Sequence, residues 1–322
     1  MPPTIAVIIP CYRVKNQIHD VLERIGPEVD HIIVVDDHCP EFSGRSVQTY
    51  NQDTRIHVLY HKENQGVGAA VMTGYRYAQD LGATILIKLD GDGQMAPELI
   101  PRLVNPLIQG QADYAKGNRF WDLSEIRQMP FLRLLGNASL SFMSKLSSGY
   151  WHSFDPTNGF TAIHASLLDH LPLHKLHSRY FFESDLLFRL NLLRAVVVDI
   201  PMHAQYGKEQ SNLKIHDILM PFLLGHLRNL GKRIFYNYFL RDLTLASLEL
   251  VFGFSLLLFG LVFGMYHWLI RAPDGQTTPT GTIMIATLSI ILGFQLLLSF
   301  INYDVANTPS RPIHQDLCDE IQ

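Results

Sequence analysis

Within these 322 residues, the stretch best suited to chemistry is a short acidic turn, Lys88-Leu89-Asp90-Gly91-Asp92-Gly93-Gln94. Two carboxylates spaced i, i+2 at the end of a buried apolar run are costly unless something neutralises them. A divalent cation does so, and the glycines let the backbone turn tightly beside it. Hard oxygen ligands suit Mg²⁺ or Mn²⁺, which then bridges a diphosphate. Asp90, Asp92 and Gln94 are therefore the candidate metal ligands. The competing structural explanation is a polar turn capping a helix that starts at Pro97.

Two further segments have matching chemistry. Val34-Val35-Asp36-Asp37 ends another apolar run in paired acids, which can accept hydrogen bonds from a nucleobase N–H or a ribose hydroxyl. Asn64-Gln65-Gly66-Val67-Gly68-Ala69-Ala70 is a glycine-rich entry to a helix. Small residues there admit a ligand close to the backbone, and a helix N-terminus favours negative charge. Taken singly, each is also what a well-capped helix or turn looks like.

The elements that must position these groups are legible from apolar runs. Strands are expected at Ile5–Ile9, Ile32–Val35, His57–Tyr60, Thr84–Leu89 and Asp113–Ala115. Helices are expected near Gln17–Ile25, Val67–Leu81 and Pro97–Ile108. Apolar strands without period-2 alternation, separated by helices, predict an α/β fold with a mostly parallel sheet covered on both faces. Ligands of such sheets sit beyond the carboxyl ends of the strands. Pro10-Cys11-Tyr12, Asp36-Asp37 and Asp90-Gly91-Asp92 all fall there. Farther on, Leu132–Leu146 and Glu183–Leu193 read as helices, and Thr161–His164 and Val196–Val198 as strands.

Charged residues thin out after Asp242. Thr244–Ile270 has only Glu249 and His267 as titratable groups, and Thr280–Ile301 has none. Roughly 20 apolar residues cross a bilayer, so both stretches predict spans, joined by the polar linker Arg271–Pro279. Arg228, Lys232, Arg233 and Arg241 precede the first span and predict a cytoplasmic catalytic part and C-terminus. His216–Arg241 interleaves these cations with Leu and Phe, as a helix lying at a bilayer surface does. Glu249 is expected to snorkel from its span, with a functional intramembrane carboxylate as the alternative. The net charge of -4 argues against a nucleic-acid binder. Cys11, Cys39 and Cys318 show neither metal spacing nor a disulfide framework, in keeping with a reducing compartment.

Pro10-x-Tyr12, Val35-Asp36-Asp37, Asn64-x-Gly66-x-Gly68-Ala69-Ala70, Asp90-x-Asp92-x-Gln94 and Gly117-Asn118-Arg119 together resemble family 2 glycosyltransferases. The set is similar to the branch of dolichyl-phosphate mannose synthase and bacterial polyprenyl-phosphate glycosyltransferases. The resemblance covers about Ile5 to Asn212 and implies a GT-A type nucleotide-sugar-binding domain. It implies a nucleotide-diphosphate sugar donor, a polyprenyl-phosphate acceptor (undecaprenyl or dolichyl), inversion at the sugar, and Mg²⁺ or Mn²⁺ held by Asp90, Asp92 and Gln94. Pro10, Tyr12, Asp36 and Asp37 are implied to line the nucleoside pocket, with Asn64, Gly68, Asp90 and Gly91 also at the donor. Asp155-x-x-x-Gly159-Phe160 resembles the segment near the acceptor, and Phe182-Glu183-Ser184-Asp185 an acidic helix start. Asp92, Asp155, Glu183, Asp185 and Arg119 are thereby the candidate catalytic residues. Pro201 through Leu213 resembles a loop that closes the site.

The sequence also departs from that pattern. His38-Cys39-Pro40-Glu41 follows the paired acids in place of small residues. Thr161 and Gln205-Tyr206-Gly207-Lys208 stand where arginines are common. Arg119, Lys208 and Lys214 are the substitute candidates for the acceptor phosphate, aided by the basic helix. The expected layout is a catalytic domain at 1–215, juxtamembrane helices at 216–243, two spans within 244–301 and a cytoplasmic tail at 302–322. The expected location is a bacterial inner membrane, and homo-oligomerisation is left open. Transfer to a saccharide or glycolipid hydroxyl, which needs a general base, is the enzymatic alternative. A catalytically inactive membrane adaptor is the alternative from another class.

Overall fold

The computed structural model describes residues 2–50, 52–121, 131–202, 215–273 and 275–319. The apolar runs form one sheet: β1 (Ile5–Cys11), β2 (His31–Asp36), β3 (Ile56–Tyr60), β4 (Ile85–Lys88), β5 (Tyr114–Asn118), β6 (Thr161–His164) and β7 (Val197–Pro201). Their order is β3-β2-β1-β4-β6-β5-β7. The pairs β3-β2, β2-β1, β1-β4 and β5-β7 are parallel, whereas β6 is antiparallel to both β4 and β5. The sheet is thus mostly parallel, with one reversal. Thr161, the first residue of β6, pairs with Lys88 on one side and Lys116 on the other. That reversal delivers the loop before Thr161 to the carboxyl ends of β4 and β5.

Both faces of the sheet are covered, which is why the strands read as continuous apolar runs. Alternate residues of β1 and β2 point to opposite sides. Ile8, Ile33 and Val35 pack in a cluster with residues of α3 (Val67–Asp80) and α6 (Phe182–Leu193). Val7, Ile9, Ile32 and Val34 pack with α1 (Ile18–Glu23) and α4 (Ile100–Ile108). The helix α2 (Ser43–Tyr50) went unread in the sequence because it is largely polar, with Val47 as its buried apolar contact. The helix α5 (Phe131–Ser148) spans slightly more than the Leu132–Leu146 expected.

The chain divides into two units, Met1–Leu230 with Pro309–Gln322, and Gly231–Thr308. The helix α7 spans Ile215–Phe235. In the first unit the last segment is docked rather than trailing. Asp113, wholly buried, accepts from the backbone N–H of Ile313 and His314 at 2.8–3.1 Å and meets His314 Nδ1 at 2.7 Å. A helix, α10 (His314–Asp319), starts there.

The second unit holds two 27-residue apolar helices, α8 (Leu245–Arg271) and α9 (Thr280–Ala306), each of mean hydropathy 2.2 and long enough to cross a membrane. Gly253 meets Leu297 and Gly260 meets Ile290 closely enough that a Cβ at either would crowd the partner helix, so the pair is an antiparallel hairpin. Glu249 accepts a 2.8 Å hydrogen bond from Ser299 of the neighbouring helix, so the acid has an intrahairpin partner besides any route to the interface. Asp304, near the end of α9, accepts from Arg233 at 2.6 and 2.9 Å and from Tyr238 at 2.5 Å.

Candidate active site

The acidic turn lies immediately after β4, at the carboxyl end of the sheet, as the fold class requires. Gly93 adopts a left-handed φ of 77°, a conformation that favours glycine. Asp90, Asp92 and Gln94 are all partly accessible. Asp92 Oδ1 accepts from the Gln94 N–H at 3.0 Å, closing the turn on itself. Asp90 points the other way, to the buried Lys88, whose Nζ lies 2.7 Å from Asp90 Oδ1 and 3.2 Å from Glu183 Oε1. Burial opposes the Lys88 charge, but the two carboxylates outweigh it and hold its pKa above the ordinary lysine value. Burial pushes the Glu183 pKa up, with Lys88 opposing the rise.

Among the described residues no group of three or more His, Cys, Asp or Glu side chains is arranged to enclose a metal. Two half-accessible carboxylates and an amide oxygen nevertheless fit Mg²⁺ or Mn²⁺, because such ions commonly use one or two protein carboxylates and take their remaining oxygens from phosphates and water. Gly159 confirms how closely this corner is built, since a Cβ there would collide with Lys88 Nζ and Asp90 Oδ2.

Beside the turn stands a second polar cluster, formed by the loop ahead of β6. Asp155, 2% exposed and at a left-handed φ of 55°, receives Nε and Nη2 of Arg119 at 2.7 Å each and Nδ2 of Asn158 at 3.0 Å. Burial alone raises the Asp155 pKa, but the Arg119 bonds and the nearby Lys116 charge hold it below the ordinary carboxylate range. Lys116 is buried beneath the loop and donates to the carbonyls of Phe154 and Asp155, with Asp199 Oδ1 3.2 Å away. Asp199 in turn accepts from Ser153 Oγ, the Phe154 N–H and Asn118 Nδ2 at 2.8–3.0 Å. The loop is therefore braced by Lys88 through the Gly159 carbonyl and by Lys116 through those of Phe154 and Asp155.

The paired acids after β2 are both buried and occupied. Asp36 accepts from the N–H of Cys39 at 2.6 Å and of Gly44 at 2.7 Å. Asp37 accepts from the N–H of Gln65 and Gly66 at 2.8 and 2.7 Å, with His61 Nδ1 at 2.7 Å. The negative charge expected at the start of α3 is thus supplied by the chain's own Asp37. The small residues there admit protein backbone: a Cβ at Gly68 would strike the His177 carbonyl, and the Ala69 N–H donates to Ser178 O at 3.1 Å. Asn64 Nδ2 donates to the Asp37 carbonyl at 3.2 Å.

Tyr12, 43% exposed, follows Pro10 at the end of β1. A cavity of about 610 Å³ opens beside the departing segment, lined by Asp36, His38, Phe42, Arg45, Tyr60 and His61 among others. Neither Asp90 nor Asp155 lines it, so it is separate from the acidic turn. Gly91 is buried against Ile9, Val14 and Ile18. Asp185 is fully buried elsewhere, accepting from the His177 N–H, Arg189 Nε and Asn229 Nδ2 at 3.0–3.2 Å. These contacts are those of a carboxylate that ties helices together. Lys208, Lys214 and most of the expected closing loop lie outside the described residues.

Sequence reasoning passed over Lys88, Lys116, Asn158 and Asp199. A lone lysine inside an otherwise apolar strand, as in Ile85–Lys88, was the available signal for the first.

The sequence model of glycosyl transferase family 2 matches residues 6–171. UDP-N-acetylglucosamine–dolichyl-phosphate N-acetylglucosaminyltransferase of Methanococcus voltae is 30% identical over 216 residues, covering 63% of this chain and 86% of that protein. Polyprenol monophosphomannose synthase of Mycolicibacterium smegmatis is 30% identical over 202 residues, covering 61% of this chain and 75% of that protein. Glucosyl-3-phosphoglycerate synthase from Mycobacterium tuberculosis, crystallised with Mn²⁺, UDP and glucosyl-3-phosphoglycerate, superposes with a TM-score of 0.53 at 18% identity. That superposition covers 72% of this chain and 80% of the other, and it shows a shared fold.

Proposed function

The chain belongs to glycosyl transferase family 2, and on that premise we propose that it moves a sugar from a nucleotide-diphosphate donor to a polyprenyl phosphate. The observation that carries this reading is one chain joining the acidic turn of a glycosyltransferase sheet to two apolar helices of membrane-crossing length. The named activities of the relatives from Methanococcus voltae and Mycolicibacterium smegmatis support the same acceptor class. An acceptor with a long lipid tail explains why the catalytic part is tethered, since the reacting phosphate lies at the bilayer surface. The charge bias before α8 supports a cytoplasmic catalytic part.

In this reading Asp90, Asp92 and Gln94 hold Mg²⁺ or Mn²⁺, and the Mn²⁺ and UDP in the Mycobacterium tuberculosis structure are in keeping with that. The ion supplies Lewis-acid stabilisation of the charge growing on the departing nucleoside diphosphate. Pro10 and Tyr12 border the nucleoside. Asp36 and Asp37 shape the loops around it. Asp155 fixes the Arg119 guanidinium at the rim, where it offsets repulsion between the acceptor phosphate and the donor. Lys208 and Lys214 are the other proposed phosphate contacts.

A phosphate monoester, with a second pKa near 6, is largely dianionic at neutral pH. It attacks without surrendering a proton to the protein, so no general base is required. Direct displacement then inverts the anomeric carbon: the acceptor oxygen forms the new bond as the sugar–diphosphate bond breaks.

Purified protein incubated with polyprenyl phosphate, Mg²⁺ or Mn²⁺ and a panel of nucleotide sugars tests this. Mass spectrometry is expected to find a sugar–phosphate–lipid whose mass exceeds that of the polyprenyl phosphate by one sugar residue. Sugar appearing only on an added saccharide or glycolipid hydroxyl would overturn the acceptor assignment.

A further inference from the structure

Lys88 and Lys116 are the two buried lysines of the site, and Lys88 has 1% of its side chain exposed. Its ammonium has three oxygen partners drawn from three parts of the chain: Asp90 Oδ1 at 2.7 Å, Glu183 Oε1 at 3.2 Å and the Gly159 carbonyl at 3.3 Å. Three partners match the three donors of an ammonium. Fold stability alone does not account for a cation here. A buried ion pair gives little net stabilisation, and an apolar side chain of similar volume often serves a core as well or better. The position must therefore be judged by what the charge does to Asp90.

We propose that Lys88 is a positioning residue, an internal counter-cation that keeps Asp90 Oδ1 turned inward and makes capture of a divalent ion depend on the arriving diphosphate. The inference rests on the reading that Asp90 and Asp92 are the metal ligands. With Oδ1 committed to Lys88, Asp90 offers its other oxygen, so it serves as a one-oxygen ligand. The fixed ammonium also repels a divalent ion that comes alone, an effect weakly screened at a buried site. A nucleoside diphosphate carries enough negative charge to offset that repulsion. Ion and donor then enter together, and the empty site stays largely metal-free. Glu183 completes the device by sharing the lysine, which holds the ammonium between the metal turn and the start of α6. The Gly159 carbonyl adds the acceptor-side loop to the same anchor.

The test is an Mn²⁺ titration of the full-length, detergent-solubilised protein, with free ion read by electron paramagnetic resonance. Each form is titrated with Mn²⁺ alone and again with UDP or GDP present. Lys88→Met is expected to bind Mn²⁺ alone about tenfold more tightly than the parent, as removal of an adjacent positive charge implies. The enhancement conferred by nucleoside diphosphate should shrink by a similar factor. Lys88→Arg, which keeps the charge, should restore the parental dependence. Lys88→Gln retains polar contacts without the charge and carries the same expectation as Met where the latter fails to fold. A residue that merely fills space would leave these affinities unchanged or weaken them in both conditions. Equal or weaker Mn²⁺ binding by the folded neutral variant overturns the inference while the parent protein still forms lipid product. Absence of Mn²⁺ binding by every form, with either nucleotide, overturns the metal assignment and this inference with it.

Discussion

Arg119 grips Asp155 in a two-pronged contact, Nε to Oδ2 and Nη2 to Oδ1, both at 2.7 Å. The acid is buried and the guanidinium partly open to solvent, at 2% and 29% side-chain exposure. The pair joins the end of β5 to the loop that precedes β6. An arginine fixed in this way has already given up its rotamer freedom before a phosphate arrives.

Breaking the pair from the exposed side is the more damaging change, because it strands the buried carboxylate. Arg119→Met should lower unfolding stability by about 3 kcal/mol, the usual cost of leaving a buried charge without its partner. Because the folded-state pKa of Asp155 is depressed, its contribution is complete above about pH 4 and is lost as pH falls through the folded pKa. Urea titrations of parent and variant should therefore differ near neutrality and converge in acid. A gap that persists unchanged in acid would contradict this account.

His226 gives a pH signature of its own. It is buried in α7, 2.7 Å from Ser147 Oγ and edge-on to Phe181, and burial pushes its pKa down to about 4. The unfolded chain takes up a proton near pH 6.5 that the folded one refuses, so stability should fall as pH drops from about 6.5 to about 4. His226→Gln should flatten that part of a stability-versus-pH curve. A residual slope is expected from His164, lowered to about 4 by burial and the neighbouring His314.

Within the second unit, Arg233 and Asp304 are both nearly buried and share two hydrogen bonds. Arg233→Met alone should destabilise the detergent-solubilised protein by about 3–5 kcal/mol, because it strands a buried carboxylate. Adding Asp304→Leu should recover much of the loss, since the pair as a whole contributes little net stability. Thermal melts of the two single variants and the double variant decide this. A strictly additive double variant would contradict the pairing.

Much of this architecture could be read from residue patterns, for identifiable reasons. Ile5–Ile9 and Ile32–Val35 are apolar at every position because both sheet faces are covered, and no polar residue obscures the run. The acidic turn was equally visible, since Asp90 and Asp92 follow such a run directly. The reversal of β6 was not visible, because four residues such as Thr161–His164 have no directional mark. The helix at Ser43–Tyr50 escaped notice for want of apolar periodicity. Partnership was the hardest property to foresee. Asp36-Asp37 advertised a polar site, yet their oxygens are taken by the N–H groups of Cys39, Gly44, Gln65 and Gly66, distant in sequence or hidden in loops. Asp113 is the same lesson at longer range, as its partner His314 lies 201 residues away.

The most direct test of the central claim is sugar transfer to polyprenyl phosphate by the parent protein and Asp92→Asn, each with and without chelation of divalent ions. Parent activity should vanish on chelation and return with added Mg²⁺ or Mn²⁺. Asp92→Asn should run at least about 100-fold slower even with the metal supplied, a loss typical of removing one group that stabilises transition-state charge. Transfer at the parental rate by the chelated variant would contradict the account.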